Sequence, residues 1–376
     1  MKIVHVYAGY APSAHGGIQR HLGLLREGLA RAGHQVIVLA ASSDARTRLE
    51  GDPAGRIVYA GTVGRVAGRR LCPSLPGWLR RLRPGILHFH SPSPFSEIAG
   101  LLASVRCSTV VTYHCEVERH GWRRLHDSLL QRLLRRADRI VVTSPQALES
   151  APALAAHRGR CVVVPLGLDL ARLGDSARAQ AVARGVRDAA PGPVVLFVGR
   201  LRRYKGLDVL MEAMRGVPGT LVVVGRGPEE EALRRKAREP GLGGRVVFAG
   251  DVPDEDLPGY YRAANLLALP SVSRAEFFGQ VLVEAMACGL PVVSTRLGTG
   301  TSLVNADGVT GTEVPPGDPE ALAAAVRRLI ENPDEARRMG ERGRLRAAGF
   351  DAQVMIDRTA ALYADLAGSP RPATAG

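Results

Sequence analysis

The sequence predicts an α/β protein with two Rossmann-like domains, each a doubly wound parallel sheet with helices on both faces, facing each other across a cleft. Three observations support this class. Short apolar strands alternate with helices whose apolar residues recur every three or four positions. The alternation starts twice, near residue 1 and near residue 194. The 376 residues suffice for two domains, each with its own core.

The first half opens with a predicted strand over residues 3–8, a glycine loop and a helix. The helix is predicted from apolar residues that share one face: Ile18, Leu22, Leu25 and Leu29. Further strands are expected at residues 36–40, 86–89, 109–113, 139–143 and 161–165. We assign residues 1–175 to this N-terminal domain.

The second half repeats the arrangement, with a strand at residues 194–198, a loop at 199–206 and a helix that follows at once. More strands are expected at residues 221–224, 246–249, 266–269 and 291–294. We assign residues 190–349 to this C-terminal domain. The charged, alanine-rich stretch between the two domains is the predicted linker. A last helix, at about residues 350–367, could pack on either domain.

The composition is that of a globular protein, with 45% hydrophobic and 23% charged residues. No run of 18 apolar residues is present, and the N-terminus lacks the apolar core of a signal peptide. The five cysteines form no C-x-x-C pair, which favours reduced thiols over a zinc site or a disulfide framework. We therefore expect a cytoplasmic protein.

The net charge of +14 comes from 47 arginines and only three lysines. One interpretation is an arginine-rich coding bias with no functional meaning. The other is an anionic partner such as a phosphate or a lipid surface, and the basic stretches at residues 65–83 and 121–136 favour peripheral contact with a membrane. We do not expect nucleic acid as a partner, because aromatic residues make up only 5% and do not interleave with the basic clusters.

The strand at residues 194–198 ends in a glycine followed by two cations. Gly199 allows a tight turn, and Arg200 and Lys205 lie about one helical turn apart. Arginine binds a phosphate through its planar fork and lysine binds it as a point charge, so this pair predicts a diphosphate site. The alternative is solvated surface charge.

Glu276 and Glu284 flank a predicted helix start at Gly279, Gln280 and Val281. Free N–H groups and the helix dipole favour phosphate there. On one helix the two acids would be ~12 Å apart, whereas glycosidase carboxylates are ~5–9.5 Å apart. The spacing thus predicts contacts with the two ends of an elongated ligand. Alternatively, the first acid is a helix cap and the second a surface residue.

Two further patterns are candidates for a catalytic site or a metal site. His114 follows one predicted strand and His90 ends another, where parallel sheets bind ligands, so the first is a catalytic candidate and the second an acceptor-side candidate. For both, a structural histidine is the alternative. Asp254 and Asp256 form a D-x-D sequence, but acids are common at the start of a helix, and we predict no metal site.

Several motifs together point to a known family. They are Val198-Gly199-Arg200-Leu201 with Lys205-Gly206, Val224-Gly225-Arg226-Gly227-Pro228, Leu269-Pro270-Ser271, the segment from Glu276 to Glu284, and Gly308-Val309-Thr310-Gly311. This set resembles the retaining GT-B glycosyltransferases of family 4 along nearly the whole chain. The match is densest in the C-terminal half.

The resemblance implies a role for each matching residue. Arg200 and Lys205 would hold the donor diphosphate, Glu284 the ribose hydroxyls, and Glu276 and His114 the transferred sugar. The catalytic residues would be Glu276, His114, Arg200 and Lys205. The other donor-binding residues would be Gly16, Gly17, Gly199, Asp251, Val252, Phe278, Gly279, Gln280 and Val281. The last helix would cross back to the N-terminal domain.

The implied reaction is retaining, metal-independent transfer of a hexose from a nucleotide diphosphate sugar to a saccharide or lipid-linked acceptor in cell-surface glycan synthesis. Finer similarity to bacterial mannosyl and rhamnosyl transferases favours a GDP-linked donor over a UDP-linked one, and no cofactor is expected. Alternatives are a UDP-sugar-dependent transferase with a small-molecule or lipid acceptor, or a GT-B phosphorylase. A dehydrogenase is disfavoured because no G-x-G-x-x-G follows the first strand.

Overall fold

The structure, a computed structural model, describes residues 1–11, 17–66, 69–114 and 123–368. It divides the chain into two units. The first unit contains Met1–Gly167 together with Ala352–Gly376, and the second contains Leu168–Asp351. Each unit is built around its own parallel sheet.

The first unit contains an eight-stranded sheet and a small two-stranded ribbon. The strands are β1 (Lys2–Val6), β2 (Gln35–Ala41), β3 (Arg48–Asp52), β4 (Gly55–Ala60), β5 (Gly64–Val66), β6 (Arg69–Leu71), β7 (Ile86–Ser91), β8 (Ser108–Tyr113), β9 (Arg139–Val142) and β10 (Cys161–Val163). The order of the main sheet is β10-β9-β8-β7-β1-β2-β4-β3. All its pairs are parallel except β3 with β4.

Helices of this unit connect the parallel strands. They are α1 (Gly17–Arg31), α2 (Leu75–Leu82), α3 (Pro94–Ala103), α4 (Arg123–Arg136) and α5 (Pro145–Ser150). Because β1 pairs with both β2 and β7, the order of the strands reverses between β1 and β7. Ligands of doubly wound sheets bind at the carboxyl ends of the strands at such a reversal.

The second unit has a six-stranded parallel sheet. Its strands are β11 (Val194–Val198), β12 (Thr220–Val224), β13 (Val246–Gly250), β14 (Leu266–Leu269), β15 (Val292–Thr295) and β16 (Gly311–Val314), in the order β13-β12-β11-β14-β15-β16. Its helices are α6 (Ala177–Ala189), α7 (Leu207–Met214), α8 (Glu230–Lys236), α9 (Leu257–Ala263), α10 (Gln280–Ala287), α11 (Thr301–Val304), α12 (Pro319–Glu331) and α13 (Pro333–Ala347). Here the reversal lies between β11 and β14.

The boundary between the units differs from the predicted linker. Residues 177–189 form α6, whose start is capped by the Ser176 hydroxyl, which accepts a hydrogen bond from the Ala179 N–H at 3.1 Å. Helix α6 packs on α9 so closely that a Cβ at Gly259 would lie 2.6 Å from the Cβ of Val182. Alanine has the highest helix propensity, and the small buried side chains of Ala179 and Ala183 allow close packing of this helix.

The last described helix, α14 (Ala352–Gly368), belongs to the first unit. Its buried residues Met355, Ile356 and Tyr363 join the core that contains Leu25 and Leu29 of α1. A Cβ at Gly28 would lie only 2.3 Å from the Cδ1 of Ile356, so the Ile356 side chain of α14 packs directly on the backbone of α1.

Candidate functional site

The switch point of the second unit, where the strand order reverses between β11 and β14, brings two predicted motifs together. The loop after β11 carries Gly199, Arg200 and Lys205, and the loop after β14 carries Ser271 and Glu276. Strands β11 and β14 are parallel neighbours, so both loops leave the same edge of the sheet. The candidate donor site is therefore assembled from segments about 70 residues apart in sequence.

Glu276 is buried and forms an ion pair with the ammonium group of Lys205. The carboxylate also accepts a hydrogen bond from the Ser271 hydroxyl at 3.1 Å. Burial, the largest effect, would lower the pKa of Lys205, but the charge and hydrogen bond of Glu276 together with Tyr204 outweigh it, and the pKa is raised above the usual lysine value. Lys205 thus stays positively charged beside the Glu276 carboxylate.

Helix α10 starts beside this ion pair. Its N-cap residue, Gly279, has φ +76° and precedes Gln280 and Val281 in the first turn. A Cβ at Gly279 would lie 2.9 Å from Leu282 and 3.2 Å from both Leu269 and Thr301. The position therefore accepts only glycine without strain, and the free N–H groups of the first turn can approach an anion closely.

Glu284 lies inside α10 and is buried, so the interpretation as a surface acid is wrong. One carboxylate oxygen pairs with the guanidinium of Arg172, and the other accepts a hydrogen bond from the Tyr261 hydroxyl at 2.7 Å. Burial, with a contribution from Glu284, raises the pKa of Tyr261 well above its usual value. Any hydroxyl that binds Glu284 must therefore share it with these two groups.

The other predicted residues of this unit lie in nearby loops. Arg200 is exposed and lies one residue after Gly199, which directly follows β11. Asp251 is exposed and Val252 half-buried, just after β13. The last residue of β13 is Gly250, whose carbonyl accepts a hydrogen bond from the N–H of Gly225 at 2.7 Å.

Phe278 packs edge-on against the ring of Phe350, with centroids 5.8 Å apart. It is buried, so its backbone rather than its ring is available at the start of α10.

The D-x-D sequence is engaged in ion pairs. Asp256 accepts a hydrogen bond from the Nε of Arg178 at 2.5 Å, and an oxygen of Asp254 lies 3.6 Å from a guanidinium nitrogen of Arg172. Asp256 is the N-cap residue of α9, where acids are common, and Asp254 lies two residues before it.

The predicted residues of the first unit include a buried histidine. His114 follows β8, is 7% exposed, and its Nε2 lies 3.0 Å from the Nδ1 of His90. Burial lowers its pKa well below the usual value, so the ring is neutral at pH 7. Gly17 begins α1, and Gly16 lies outside the described residues.

Sequence reasoning missed several residues that contact the predicted ones: Arg172, Tyr261, Ser271, His5 and His21. Ser271 was within a quoted motif, at the end of β14, and its position beside a strand end was a usable signal. Arg172 and Tyr261 reach Glu284 only through tertiary packing. His5 and His21 lie on β1 and α1, where each had the sequence context of an ordinary core position.

The comparisons with known proteins match both units. The model described as Glycosyl transferases group 1 matches residues 184–346, and the one described as Glycosyltransferase Family 4 matches residues 15–172. O-antigen chain mannosyltransferase C of Escherichia coli is 34% identical over 370 residues, which covers 97% of this chain and 99% of that protein. The chain belongs to glycosyltransferase family 4.

Two more proteins resemble this family 4 glycosyltransferase over most of its length. D-rhamnosyltransferase WbpZ of Pseudomonas aeruginosa is 32% identical over 92% of this chain and 91% of its own. The solved structure of sucrose-phosphate synthase from Thermosynechococcus elongatus superimposes with a TM-score of 0.82 and 28% identity, covering 97% of this chain and 98% of that one. The structural neighbours are GT-B glycosyltransferases, which confirms the predicted fold class.

Proposed function

We propose that this glycosyltransferase moves a hexose of mannose or rhamnose type from a nucleotide diphosphate sugar to a saccharide or lipid-linked acceptor in cell-surface glycan synthesis, with retention at the anomeric carbon. The relatives named as O-antigen mannosyltransferase and D-rhamnosyltransferase support the choice of sugar. A GDP-linked donor is favoured and a UDP-linked donor is the alternative.

The observation that carries this proposal is the grouping of Lys205, Glu276 and the start of α10 at the switch point of the second unit. A diphosphate needs fixed positive charge and N–H donors, and a sugar needs a carboxylate that accepts hydroxyl protons. Both are present at one sheet edge. Glu284 would bind the ribose hydroxyls, with Asp251 and Val252 beside the base.

In the proposed step the bond from the anomeric carbon to the diphosphate oxygen breaks, and a bond to the acceptor oxygen forms on the same face. The acceptor proton passes to the leaving diphosphate. Arg200, Lys205 and the N–H groups of α10 stabilise the charge that develops on the leaving group. Glu276 binds the hydroxyls of the transferred sugar, and the family motif alone suggests His114 as a further sugar contact. Because these groups supply the positive charge, we propose that transfer needs neither a metal ion nor a cofactor.

A donor panel tests the proposal. The full-length protein is mixed with GDP-, UDP- and dTDP-linked sugars, and its melting temperature is measured. We expect GDP-linked mannose or rhamnose to give the largest increase, and transfer to survive treatment with EDTA. NMR of the product should show the anomeric configuration of the donor. No stabilisation by any nucleotide, or an inverted product, would contradict the proposal.

We also propose a cytoplasmic enzyme whose first unit contacts the inner face of the membrane at its periphery. Among the described residues, no helix is both long and apolar enough to span a membrane. Leu102 is 59% exposed, and the guanidinium groups of Arg80 and Arg136 bind carbonyls beside it, at Leu102 and Leu101. An exposed leucine flanked by cations suits an anionic lipid surface. Sedimentation with anionic but not zwitterionic vesicles, weakened by Leu102→Glu, is the expected result.

A further inference from the structure

Five histidines of the first unit form a buried group, called here the histidine cluster: His5, His21, His88, His90 and His114. They are 0% to 7% exposed. His5 lies on β1, His88 and His90 lie on β7, and His114 follows β8, so these four lie on three neighbouring parallel strands. His21 approaches from α1. Half of the ten histidines in the chain are thus packed at one place.

Three cluster members form a hydrogen-bonded row. The Nε2 of His90 lies 3.0 Å from the Nδ1 of His5, and the Nδ1 of His90 lies 3.0 Å from the Nε2 of His114. The rings of His90 and His114 are stacked, with centroids 5.3 Å apart. His90 is therefore held at both nitrogens by imidazoles.

His88 is satisfied in a different way. Its Nε2 lies 2.6 Å from the Thr112 hydroxyl, and its Nδ1 is within hydrogen-bonding distance of the Tyr363 hydroxyl on α14. Both nitrogens have hydroxyl partners, so this side chain needs no further ligand.

His21 differs because neither of its ring nitrogens has a hydrogen-bond partner within the described part of the chain. The side chain is nevertheless buried, with only 4% of it exposed. Leaving a buried polar group without a partner costs roughly 1–3 kcal/mol. Its ring lies edge-on to His114, with centroids 5.0 Å apart, and to His90, at 5.6 Å. The free nitrogens thus belong to a ring packed against two other imidazoles.

The geometry suits a metal ion. One ring nitrogen each from His21, His90 and His114 lie within 4.8 Å of one another. Tetrahedral zinc, with Zn–N of about 2.0–2.1 Å, needs nitrogens about 3.4 Å apart, so the rings would move by ~1.5 Å or less. Burial lowers the pKa of His21 to about 4, and the pKa values of His90 and His114 are also well below normal, which keeps the rings neutral and able to coordinate.

We propose that His21, His90 and His114 form a site for a divalent transition-metal ion, with zinc as the preferred occupant. The remaining nitrogen of His90 contacts His5, and metal-bound histidines commonly have such a partner at their second nitrogen. A second group, His5, His88 and His90, also lies within 4.8 Å. Binding there would break a hydroxyl contact of His88, whereas His21 has no hydrogen bond to lose and the proposed site gives up only the contact between His90 and His114.

The site has a consequence for the proposed reaction. His114 is the residue proposed to contact the transferred sugar, and zinc bound to one of its ring nitrogens leaves only the other nitrogen for that contact. Zinc bound at this site should therefore change the rate of transfer. This consequence rests on the proposed function, whereas the metal site itself does not.

Metal binding is measured directly on the full-length protein without a histidine tag. After dialysis against a chelator, zinc is titrated in a calorimeter, and Co²⁺ is added to look for the intense visible absorption of a tetrahedral complex. We expect about one ion per chain and a higher melting temperature with zinc. Absence of saturable binding by the wild-type protein would overturn the proposal.

Variants locate the site. Loss of a second-shell partner costs about 10–100-fold in metal affinity, so His21→Asn, which removes a ligand, should cost more than about 100-fold. His34→Asn, at a half-exposed histidine outside the cluster, should bind zinc as the wild type does. Circular dichroism and the metal-free melting temperature check that each variant is folded.

His88→Asn separates the two groups of three histidines. This variant should bind zinc at least as tightly as the wild-type protein does. If it loses zinc while His21→Asn keeps it, the proposed ligand set is wrong. If zinc binds and raises the melting temperature of His21→Asn and of the wild type equally, the site lies elsewhere and the proposal fails.

Discussion

Lys205 and Glu276 form a buried ion pair that joins the loops after two neighbouring strands of the second unit. In the proposed enzyme the same two side chains contact the diphosphate and the sugar. Before donor binds, each therefore neutralises the other. A donor that separates them must supply replacement contacts for both.

Glu276→Gln is expected to abolish transfer while nucleotide binding stays nearly intact, because the sugar is the only part of the donor that this residue contacts in the proposed arrangement. Initial rates and calorimetry with the nucleoside diphosphate measure the two effects. The exposed Glu331→Gln provides the control and should behave as the wild type. A large loss of nucleotide affinity in Glu276→Gln would contradict the assigned role.

Lys205→Met and Arg200→Met should each lower kcat, by ~100–1000-fold where the lost cation acts on the leaving diphosphate. Only Lys205→Met should also destabilise the fold, since Lys205 is buried and paired whereas Arg200 is exposed. Breaking a buried pair costs about 3–5 kcal/mol. Urea unfolding of both variants checks the difference, and equal stabilities would show that the ion pair contributes little.

The coupling between Lys205 and Glu276 should depend on pH. The folded state raises the pKa of Lys205 above the 10.5 of an ordinary lysine, so the stabilisation is complete below that pH and is lost as the pH rises through the raised value. A double-mutant cycle with Lys205→Met and Glu276→Gln, measured at neutral and at strongly alkaline pH, gives the coupling free energy. If the coupling free energy is as large at strongly alkaline pH as at neutral pH, the predicted direction of the pH dependence is wrong.

Glu284→Ala should weaken nucleotide binding and also reduce stability. It removes one of the two carboxylate partners of the half-buried Arg172 and the acceptor of the buried Tyr261 hydroxyl, and leaving such a buried hydroxyl unsatisfied costs roughly 1–3 kcal/mol. Tyr261→Phe removes one hydrogen bond and should cost only about 0.5–1.5 kcal/mol. If Glu284→Ala and Glu276→Ala weaken nucleotide binding equally, the two acids are assigned to the wrong ends of the donor.

Gly279→Ala should reduce donor affinity as well as stability. The glycine has φ +76°, and the added Cβ would be 2.9 Å from Leu282, so the start of α10 must shift. Gly308→Ala is a matched control, because Gly308 has φ +72° and open space around it. Both variants pay the backbone strain of ~1–2 kcal/mol, but only Gly279→Ala should change the Kd for the nucleotide.

The architecture was largely predictable from local patterns, and the contacts of the site were not. Fully apolar strands such as Val194–Val198 and the glycine motif after them indicate a parallel sheet and a ligand loop. The helix Ala177–Ala189 was mistaken for linker because its amphipathic face is made of alanines, which carry little hydrophobic signal. Arg172 meets Glu284 across 112 residues, and no spacing rule predicts such a pair.

The histidines show the same limit. His114 was singled out from its place after a strand, but its nearest imidazoles come from other strands and from α1. The strand order that brings His5 beside His90 depends on the crossover connections, which local periodicity does not specify. Local sequence therefore suggested two functional histidines, His90 and His114, and the fold places them in a cluster of five.

Helix α14 has a consequence for how the chain matures on the ribosome. The core of the first unit includes Ile356 and Tyr363, which are translated only after all of Leu168–Asp351. The second unit is continuous and can complete its core as soon as it emerges. The unit that is synthesised first therefore completes its core last. The surface of α1 at Gly28 lacks Ile356 of α14 until the whole second unit has been translated.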